Sequence, residues 1–200
     1  MYPRKWLLAS VLAELLFSAG CSPIYADGPY HGRVVDAETK QPIEGAAVLA
    51  VWWMRTPMIG HPMESVHDAQ ETMTDKDGNF TIPGMSTFAP ISRIHEPRFT
   101  IFKPGYRAYP GGVLKPMIEH VPTGLYEKDG RIVAEIPRLI TRDDRLRNLD
   151  RVYVPACLRK EEQSRLCLPM EKFANMIRLR NIERVDLGLK STHAWKGEQK

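Results

Sequence analysis

The stretch MTDKDGNFTIPG, residues 73–84, places two aspartates and a glycine directly before a short alternating run. Asp77 and Gly78 form a pair preferred in hairpin turns, because such turns need positive φ angles that glycine adopts without steric cost. The side chains of Asp75 and Asp77 can also accept hydrogen bonds from amides of the turn. Residues 79–82 then alternate as a strand does. The stretch therefore predicts a hairpin turn between two strands.

A calcium-binding loop is the competing interpretation of the same acidic residues. An EF-hand loop requires oxygen ligands at positions 1, 3 and 5, glycine at position 6 and a bidentate Glu at position 12. If Asp75 occupies position 1, Gly78 falls at position 4 and Ser86 at position 12. The spacing therefore favours a structural turn over a calcium site.

Outward from this turn, short β-rich runs alternate with segments rich in Gly, Pro and Asp, a pattern typical of a β-sandwich. Two prolines and a glycine interrupt this pattern in residues 54–64, which are therefore expected to form a loop. The expected elements are a hairpin-like pair of strands at 31–36 and 46–53, a loop at 54–64, and strands at 65–74, 79–82 and, after a turn at 127–130, 131–139. The predicted fold class is therefore mainly β, an antiparallel β-sandwich.

Three segments in order, GRVVDAETKQPIEGAAV, TDKDGNFTIPG and FTIFKPGYRAY, resemble the carboxypeptidase regulatory-like domain, a small transthyretin-like sandwich related in architecture to immunoglobulin-like folds. The resemblance implies a sandwich over residues 30–140, with the aromatic of the second segment in the core. It departs from the family pattern at residues 54–64 and at the insertion MSTFAPISRIHEPR, residues 85–98. The positions that carry it are Gly32, Pro42, Gly45, Ala46, Thr74, Asp75, Asp77, Gly78, Phe80, Gly84, Gly105 and Tyr106.

The N-terminus has the features of an export signal. Residues 1–20 begin with a short basic segment and continue as an apolar run that is shorter than a comfortable transmembrane helix. The run ends in Ser18-Ala19-Gly20-Cys21, which resembles the bacterial lipoprotein box and implies acylation of Cys21, a tether at 21–29 and a membrane partner reached through the lipid. Ser22 after the cysteine is compatible with an outer-membrane lipoprotein facing the periplasm or the surface. An ordinary cleaved secretory signal is the alternative.

Two further cysteines, Cys157 and Cys167, remain in the chain. In an exported protein they lie outside the reducing cytosol, and their short separation makes a local disulfide plausible. Two buried thiols are the alternative.

The region 141–200 changes character and is predicted to be a helical extension. Thr141 and Asp144 have capping-box spacing, and a second amphipathic pattern opens on Pro169. Packing against the sandwich is the expected role of both helices, and a partner-binding arm is the alternative. The arginines between 138 and 151 alternate with aspartates, which favours a salt-paired surface over a lipid-binding one.

Catalysis is the main competing class of function. His61 and Glu64 have the His-x-x-Glu spacing of zinc carboxypeptidases, but a catalytic zinc site needs three protein ligands and no third ligand is recognisable. The net charge of +4 is dispersed, which does not indicate nucleic-acid binding. We therefore expect a non-enzymatic, cofactor-free, lipid-anchored envelope protein with a binding or structural module and an unidentified protein or glycan partner. An accessory hydrolase or metal-binding protein using the 54–68 loop is the alternative.

Overall fold

The structure is a computed structural model that describes residues 24–112, 124–152, 154–157 and 166–192. The prediction of a mainly β chain is confirmed. The strands are β1 (Ile24–Asp27), β2 (Tyr30–Asp36), β3 (Ala47–Thr56), β4 (Met63–Met73), β5 (Asn79–Ile82), β6 (Met85–Phe88), β7 (Arg93–Ile94), β8 (Arg98–Phe102), β9 (Tyr109–Gly112), β10 (Gly124–Lys128) and β11 (Arg131–Ile136). The helices are α1 (Arg142–Leu149) and α2 (Ala174–Asp186), the latter preceded by a 3-10 turn at Met170–Phe173.

Two larger sheets and one small sheet contain these strands. The first sheet has the order β10-β11-β2-β5, and the second has the order β4-β3-β8-β9, with β7 also paired to β3. The small sheet consists of β1 and β6. All pairs are antiparallel except β2 with β11, which are parallel. The expectation of purely antiparallel pairing is wrong at this pair, because strands about a hundred residues apart are not constrained by a tight turn to run in opposite directions.

The central strand β3 is buried on both faces, and its side chains alternate between two cores. Ala46, which precedes the strand, and Val48, Ala50 and Trp52 face a core shared with the first sheet. Ala47, Leu49 and Val51 face a second core on the other side. A run without polar residues, AAVLAVWW, is the sequence expected for a strand covered on both faces.

The first core lies between the two larger sheets. Val34, Ile132 and Phe80 of the first sheet meet Phe99 and Ile101 of the second. The second core lies between the outer face of the second sheet and the C-terminal region, where Leu49 and Phe102 contact Phe173, Met176 and Ile177. The expectation that the second amphipathic helix packs against the β body is therefore confirmed.

The chain between β2 and β3 is a crossover rather than the predicted hairpin-like connection, since the two strands belong to different sheets. The Asp36 carboxylate accepts hydrogen bonds from the amides of Glu38 and Thr39, which closes a local turn. The Ile43 amide then bonds to the Val34 carbonyl before the chain crosses at Gly45, whose φ is 64°. Local turn chemistry does not specify which sheet the next strand joins.

Two sequence-predicted irregular segments contain regular structure. Within the predicted loop 54–64, β3 continues to Thr56 and β4 begins at Met63, so Pro57 and Pro62 bracket a shorter hairpin loop. Proline is tolerated at these positions because it lies just outside the paired residues. Residues 24–27 of the predicted tether form β1, which pairs with β6.

The first C-terminal helix begins where the sequence predicts, whereas the second starts at Ala174, after the 3-10 turn that follows Pro169. The Thr141 hydroxyl accepts a hydrogen bond from the Asp144 amide at the start of α1, as a capping residue should. Further along, Cys157 and Cys167 are joined by a disulfide. In the described part of the chain, no helix is both long enough and apolar enough to cross a membrane.

Candidate functional site

A cavity of about 730 Å³ lies where β1 joins the body of the protein. Four segments build it: the N-terminal strand, the end of β3 at Trp53, the start of β4, and the chain from 89 to 98. The last two fall within the segments 54–64 and 85–98, which depart from the carboxypeptidase regulatory-like pattern. The lining residues are Ile24, Tyr25, Asp27, Trp53, Glu64, Ala89, Ser92, Arg93, Ile94, His95, Glu96 and Arg98.

Asp27 fixes one wall of this cavity. Its Oδ2 accepts a hydrogen bond from the indole N–H of Trp52 at 2.7 Å, and its Oδ1 accepts one from the Tyr30 hydroxyl at 2.6 Å. Trp52 is fully buried, so its N–H needs a partner within the protein. Both carboxylate oxygens are therefore engaged in holding β1 onto the β body.

Tyr25 contributes a hydroxyl that stays protonated at neutral pH. Burial, followed by the nearby carboxylates of Asp27 and Glu96, raises the pKa of Tyr25 to about 12. Each of these causes disfavours the negatively charged phenolate. Part of this increase in pKa comes from a side-chain hydrogen bond to Asp27, so the Tyr25 hydroxyl is neutral and directed at Asp27 rather than free to donate to a ligand.

The opposite wall carries an unpaired nitrogen and a cation held on an aromatic ring. Nε2 of His95 is buried and has no hydrogen-bond partner among the described residues. The Arg98 guanidinium lies over the Trp53 ring, 5.2 Å from its centroid. A buried polar atom without a partner costs free energy, so His95 provides a position that a ligand group could satisfy. With carboxylates and guanidinium groups both present, the lining is of mixed charge.

An apolar rim, defined as Ile24, Met58, Ile59, Phe88 and Ile91, surrounds this end of the molecule. The exposed fractions of these side chains range from 56% for Met58 to 107% for Ile59. Ile24 lies directly opposite Phe88 in the β1–β6 pair. The Thr56 and Ser92 hydroxyls are hydrogen-bonded at 3.0 Å, which joins the base of the β3–β4 hairpin to the segment carrying Ile91. Apolar exposure of this kind is a feature of interaction surfaces in other proteins.

The acidic turn that contains Asp75, Asp77 and Gly78 lies away from this cavity, between β4 and β5. Asp75 Oδ1 accepts hydrogen bonds from the amides of Asp77 and Asn79, at 2.9 and 2.8 Å. These bonds, led by the one from Asn79, lower the pKa of Asp75. Gly78 has a φ of 75°, as predicted. The tight turn is therefore present, but it is not a hairpin, because β4 and β5 belong to different sheets.

Replacing Gly78 with Ala should destabilise the protein more than replacing Gly130 with Ala. Both glycines have positive φ, 75° and 72°, so both substitutions carry a conformational cost of about 1 kcal/mol. A Cβ at Gly78 would also lie 2.5 Å from the Val34 carbonyl oxygen, whereas a Cβ at Gly130 meets nothing within 4 Å. We expect losses of about 2–3 and about 1 kcal/mol respectively, measured by urea denaturation. Equal losses would contradict the close approach at Val34.

Calcium provides a second measurement on the same turn. The amide hydrogen bonds already occupy Oδ1 of Asp75, so millimolar calcium should leave the melting temperature of the wild type unchanged. A calcium-dependent rise that Asp75→Asn removes would show that the turn is a metal site.

The other predicted site residues are not gathered at one place. Phe80 is 5% exposed and belongs to the core between the larger sheets. Gly105 and Tyr106 lie after β8, where the Gly105 amide donates to Glu183 and the Tyr106 ring lies under Arg138. Cys21 lies outside the described residues.

The His61 and Glu64 pair does not form a recognisable metal centre. Glu64 lines the cavity, whereas His61 lies in the exposed hairpin loop and does not line it. Among the described residues, no group of three or more His, Cys, Asp or Glu side chains is arranged to hold a metal ion.

Sequence reasoning missed the cavity, because all of its lining residues except Trp53 lie in segments interpreted as a tether, a loop and an insertion. The available signal was composition. Segments that would otherwise serve only as connections carry aromatic and charged side chains, at Tyr25, Asp27 and residues 92–98. At the level of the whole chain, no protein-family model, curated protein or solved structure matches.

Proposed function

We propose that this chain is a lipid-anchored protein of the cell envelope, with an acylated Cys21 at its mature N-terminus and an outer-membrane location. Its β body is a transthyretin-like sandwich that serves as a non-catalytic binding module. The apolar rim is the observation that carries this proposal. Ile24 belongs to the rim and lies only three residues after Cys21.

The short distance along the chain places the rim next to the anchor. An extended chain advances at most about 3.6 Å per residue, so Ile24 lies within roughly 11 Å of the Cys21 Cα atom. Two or more acyl chains hold a protein stably on a bilayer, and apolar side chains at the interface add to that attachment. The rim would therefore rest against the bilayer, where the exposure of Ile59 and Phe88 to water is removed.

Basic and acidic residues both lie beside the rim. Arg93 and Arg98 line the cavity next to Ile24. Lysine or arginine near an anionic membrane surface contributes about 1 kcal/mol each to binding. Asp27, Glu64 and Glu96 line the same cavity and would offset this attraction, so the proposed orientation rests on the apolar side chains rather than on charge.

The cavity would provide the binding function of this module. The guanidinium groups of Arg93 and Arg98 are donors and the carboxylates of Glu64 and Glu96 are acceptors, so the lining offers both kinds of hydrogen-bonding group. Asp27 is already held by Trp52 and Tyr30, which suits a structural role better than an acid–base role. A protein or glycan of the envelope that presents both donors and acceptors is the partner this lining fits.

The anchor is tested by mass spectrometry of the mature N-terminus after expression in a Gram-negative host. The wild type should begin at Cys21 and carry the mass of attached acyl chains, and Cys21→Ser should accumulate as unprocessed precursor. Ser22→Ala serves as the control, because it keeps the cysteine and should be processed normally. An unmodified free amine at a neighbouring residue, or normal cleavage of Cys21→Ser, would show an ordinary secretory signal instead.

A further inference from the structure

A second cleft, of about 300 Å³, lies at the end of the larger sheets opposite β1. Strand β2 starts beside the small sheet and ends at Asp36, whose carboxylate contacts Arg138 of this cleft. The lining is dominated by arginine: Arg107, Pro137, Arg138, Leu139, Asp144, Arg147, Asn148 and Arg151. Four guanidinium groups therefore share the cleft with one lining carboxylate.

Backbone pairing holds two of these arginines in place. The Arg107 amide donates to the Pro137 carbonyl at 2.9 Å, and the Leu139 amide donates to the Gly105 carbonyl at 2.8 Å. Tyr106 and Arg138 form an antiparallel bridge between these two segments. Arg107 and Arg138 therefore project from a paired and ordered piece of backbone.

Asn148 fixes α1 against this paired backbone. It is 2% exposed, its Oδ1 accepts from the Ala108 amide at 2.8 Å, and its Nδ2 donates to the Tyr106 carbonyl at 2.9 Å. Because Arg147 and Arg151 lie on either side of Asn148 in sequence, these two bonds hold them across the cleft from Arg107. The four arginines thus converge from two elements locked together by a buried amide, which is the kind of support a binding site requires.

The charges of the cleft are only partly neutralised within the protein. Asp144 pairs with Arg147 at 2.9 Å, and Asp36 pairs with Arg138 at 3.3 Å. Among the described residues, Arg107 and Arg151 have no carboxylate within ion-pair distance. Two guanidinium groups are therefore available to an anion, while the other two are balanced by their carboxylate partners.

We propose that this arginine cleft binds a phosphate group carried by a small phosphomonoester. A phosphomonoester carries about −1.5 to −2 charges at neutral pH and three acceptor oxygens, which match two unpaired guanidinium groups. The planar guanidinium fork bonds phosphate oxygens in bidentate fashion, which a lysine cannot do. The cleft lies at the end away from Ile24, so this site is separate from the cavity and from the apolar rim.

Titration calorimetry of the full-length protein in detergent tests this proposal. Glycerol 3-phosphate should bind the wild type, and uncharged glycerol should not. Arg107→Gln and Arg151→Gln should each weaken binding about tenfold, the ratio expected for the loss of one charge-assisted hydrogen bond, and the double variant should weaken it about a hundredfold. Arg178→Gln is the matched control, because this exposed arginine of α2 lies outside the cleft and should leave the affinity unchanged.

Two further arms make the result decisive. A parallel titration uses a water-soluble short-chain phosphatidic acid in place of glycerol 3-phosphate. If only this probe binds the wild type, and the double variant does not bind it, the phosphate belongs to a lipid headgroup. Thermal melts confirm that the variants stay folded, which is expected because neither Arg107 nor Arg151 makes an ion pair within the described residues. Absence of binding by both probes, or equal affinity in wild type and double variant, would overturn the proposal.

Discussion

Arg145→Met should lower the free energy of unfolding by about 3–5 kcal/mol, because it leaves a buried carboxylate without its partner. Glu183 of α2 is fully buried. Arg145 of α1 reaches it with two hydrogen bonds, from Nε to Oε1 at 2.9 Å and from an Nη atom to Oε2 at 2.6 Å. The Gly105 amide donates to the same Oε2 at 3.2 Å. One carboxylate thus joins both helices and the turn after β8.

Arg147→Met is the matched control for this prediction. Arg147 lies two residues away on the same helix and pairs with Asp144, but their side chains are 74% and 46% exposed. An exposed pair of this kind contributes about 0–1 kcal/mol, since water screens both charges. Chemical denaturation of the two variants measures the difference directly.

A double variant separates the loss of attraction from the cost of a buried charge. Replacing both Arg145 and Glu183 with Met removes the charge together with its partner, so it should recover part of the stability lost in Arg145→Met. The Gly105 amide would still lose its acceptor, so recovery should be incomplete. If Arg145→Met costs no more than Arg147→Met, then Glu183 is not held as an isolated buried charge, and the junction of the two helices has been misassigned.

Local chemistry explains why several elements could be predicted from sequence. The turn at Asp75 and the cap at Thr141 each depend on side chains bonding amides a few residues away. The turn at 127–130 is set by Asp129 and Gly130, which both have positive φ and join β10 to β11 as a two-residue hairpin. Such features need no information from the rest of the chain.

Pairing between distant segments explains what could not be predicted. The parallel contact of β2 with β11 joins Val34 to Ala134, and no periodicity in either strand specifies the other as its partner. Strand β1 likewise depends on distant residues, since it pairs with β6 and its Asp27 accepts a hydrogen bond from Trp52. The cavity depends on that same strand. The candidate site therefore could not be predicted from the sequence without first predicting how β1 pairs.

The arginines between 138 and 151 illustrate an intermediate case. Their alternation with aspartates predicted a salt-paired surface, but within the described residues only Arg147 pairs with one of those aspartates, Asp144. Arg138 and Arg145 pair instead with carboxylates outside this segment. The pattern did not indicate that Arg107, over thirty residues earlier, would lie beside them. A cluster assembled from both segments becomes visible only once Asn148 has joined them.

Phe80→Ala should cost about 3–5 kcal/mol, the range for removing a buried aromatic ring. Phe80 is 5% exposed, lies in the core between the larger sheets and stands directly opposite Gly32 in the β2–β5 pair. Its ring covers the position where a Gly32 side chain would be, since a Cβ there would overlap the ring and lie 2.5 Å from the Ile132 carbonyl oxygen. Phe88→Ala is the matched control, because this ring is 71% exposed and its loss should change stability by less than about 0.5 kcal/mol.

Gly32→Ala tests the same packing from the opposite side. The added methyl group should cost about 1–3 kcal/mol through overpacking, because the Phe80 ring and the Ile132 backbone both oppose it. The double variant Gly32→Ala/Phe80→Ala removes the clash with the ring but keeps the clash with Ile132. Its loss of unfolding free energy should therefore be smaller than the sum of the losses in the two single variants. Urea denaturation of both single variants and the double variant measures that coupling. If the two losses are strictly additive, the ring does not cover Gly32. The presence of glycine at this position would then need a reason other than its packing against Phe80.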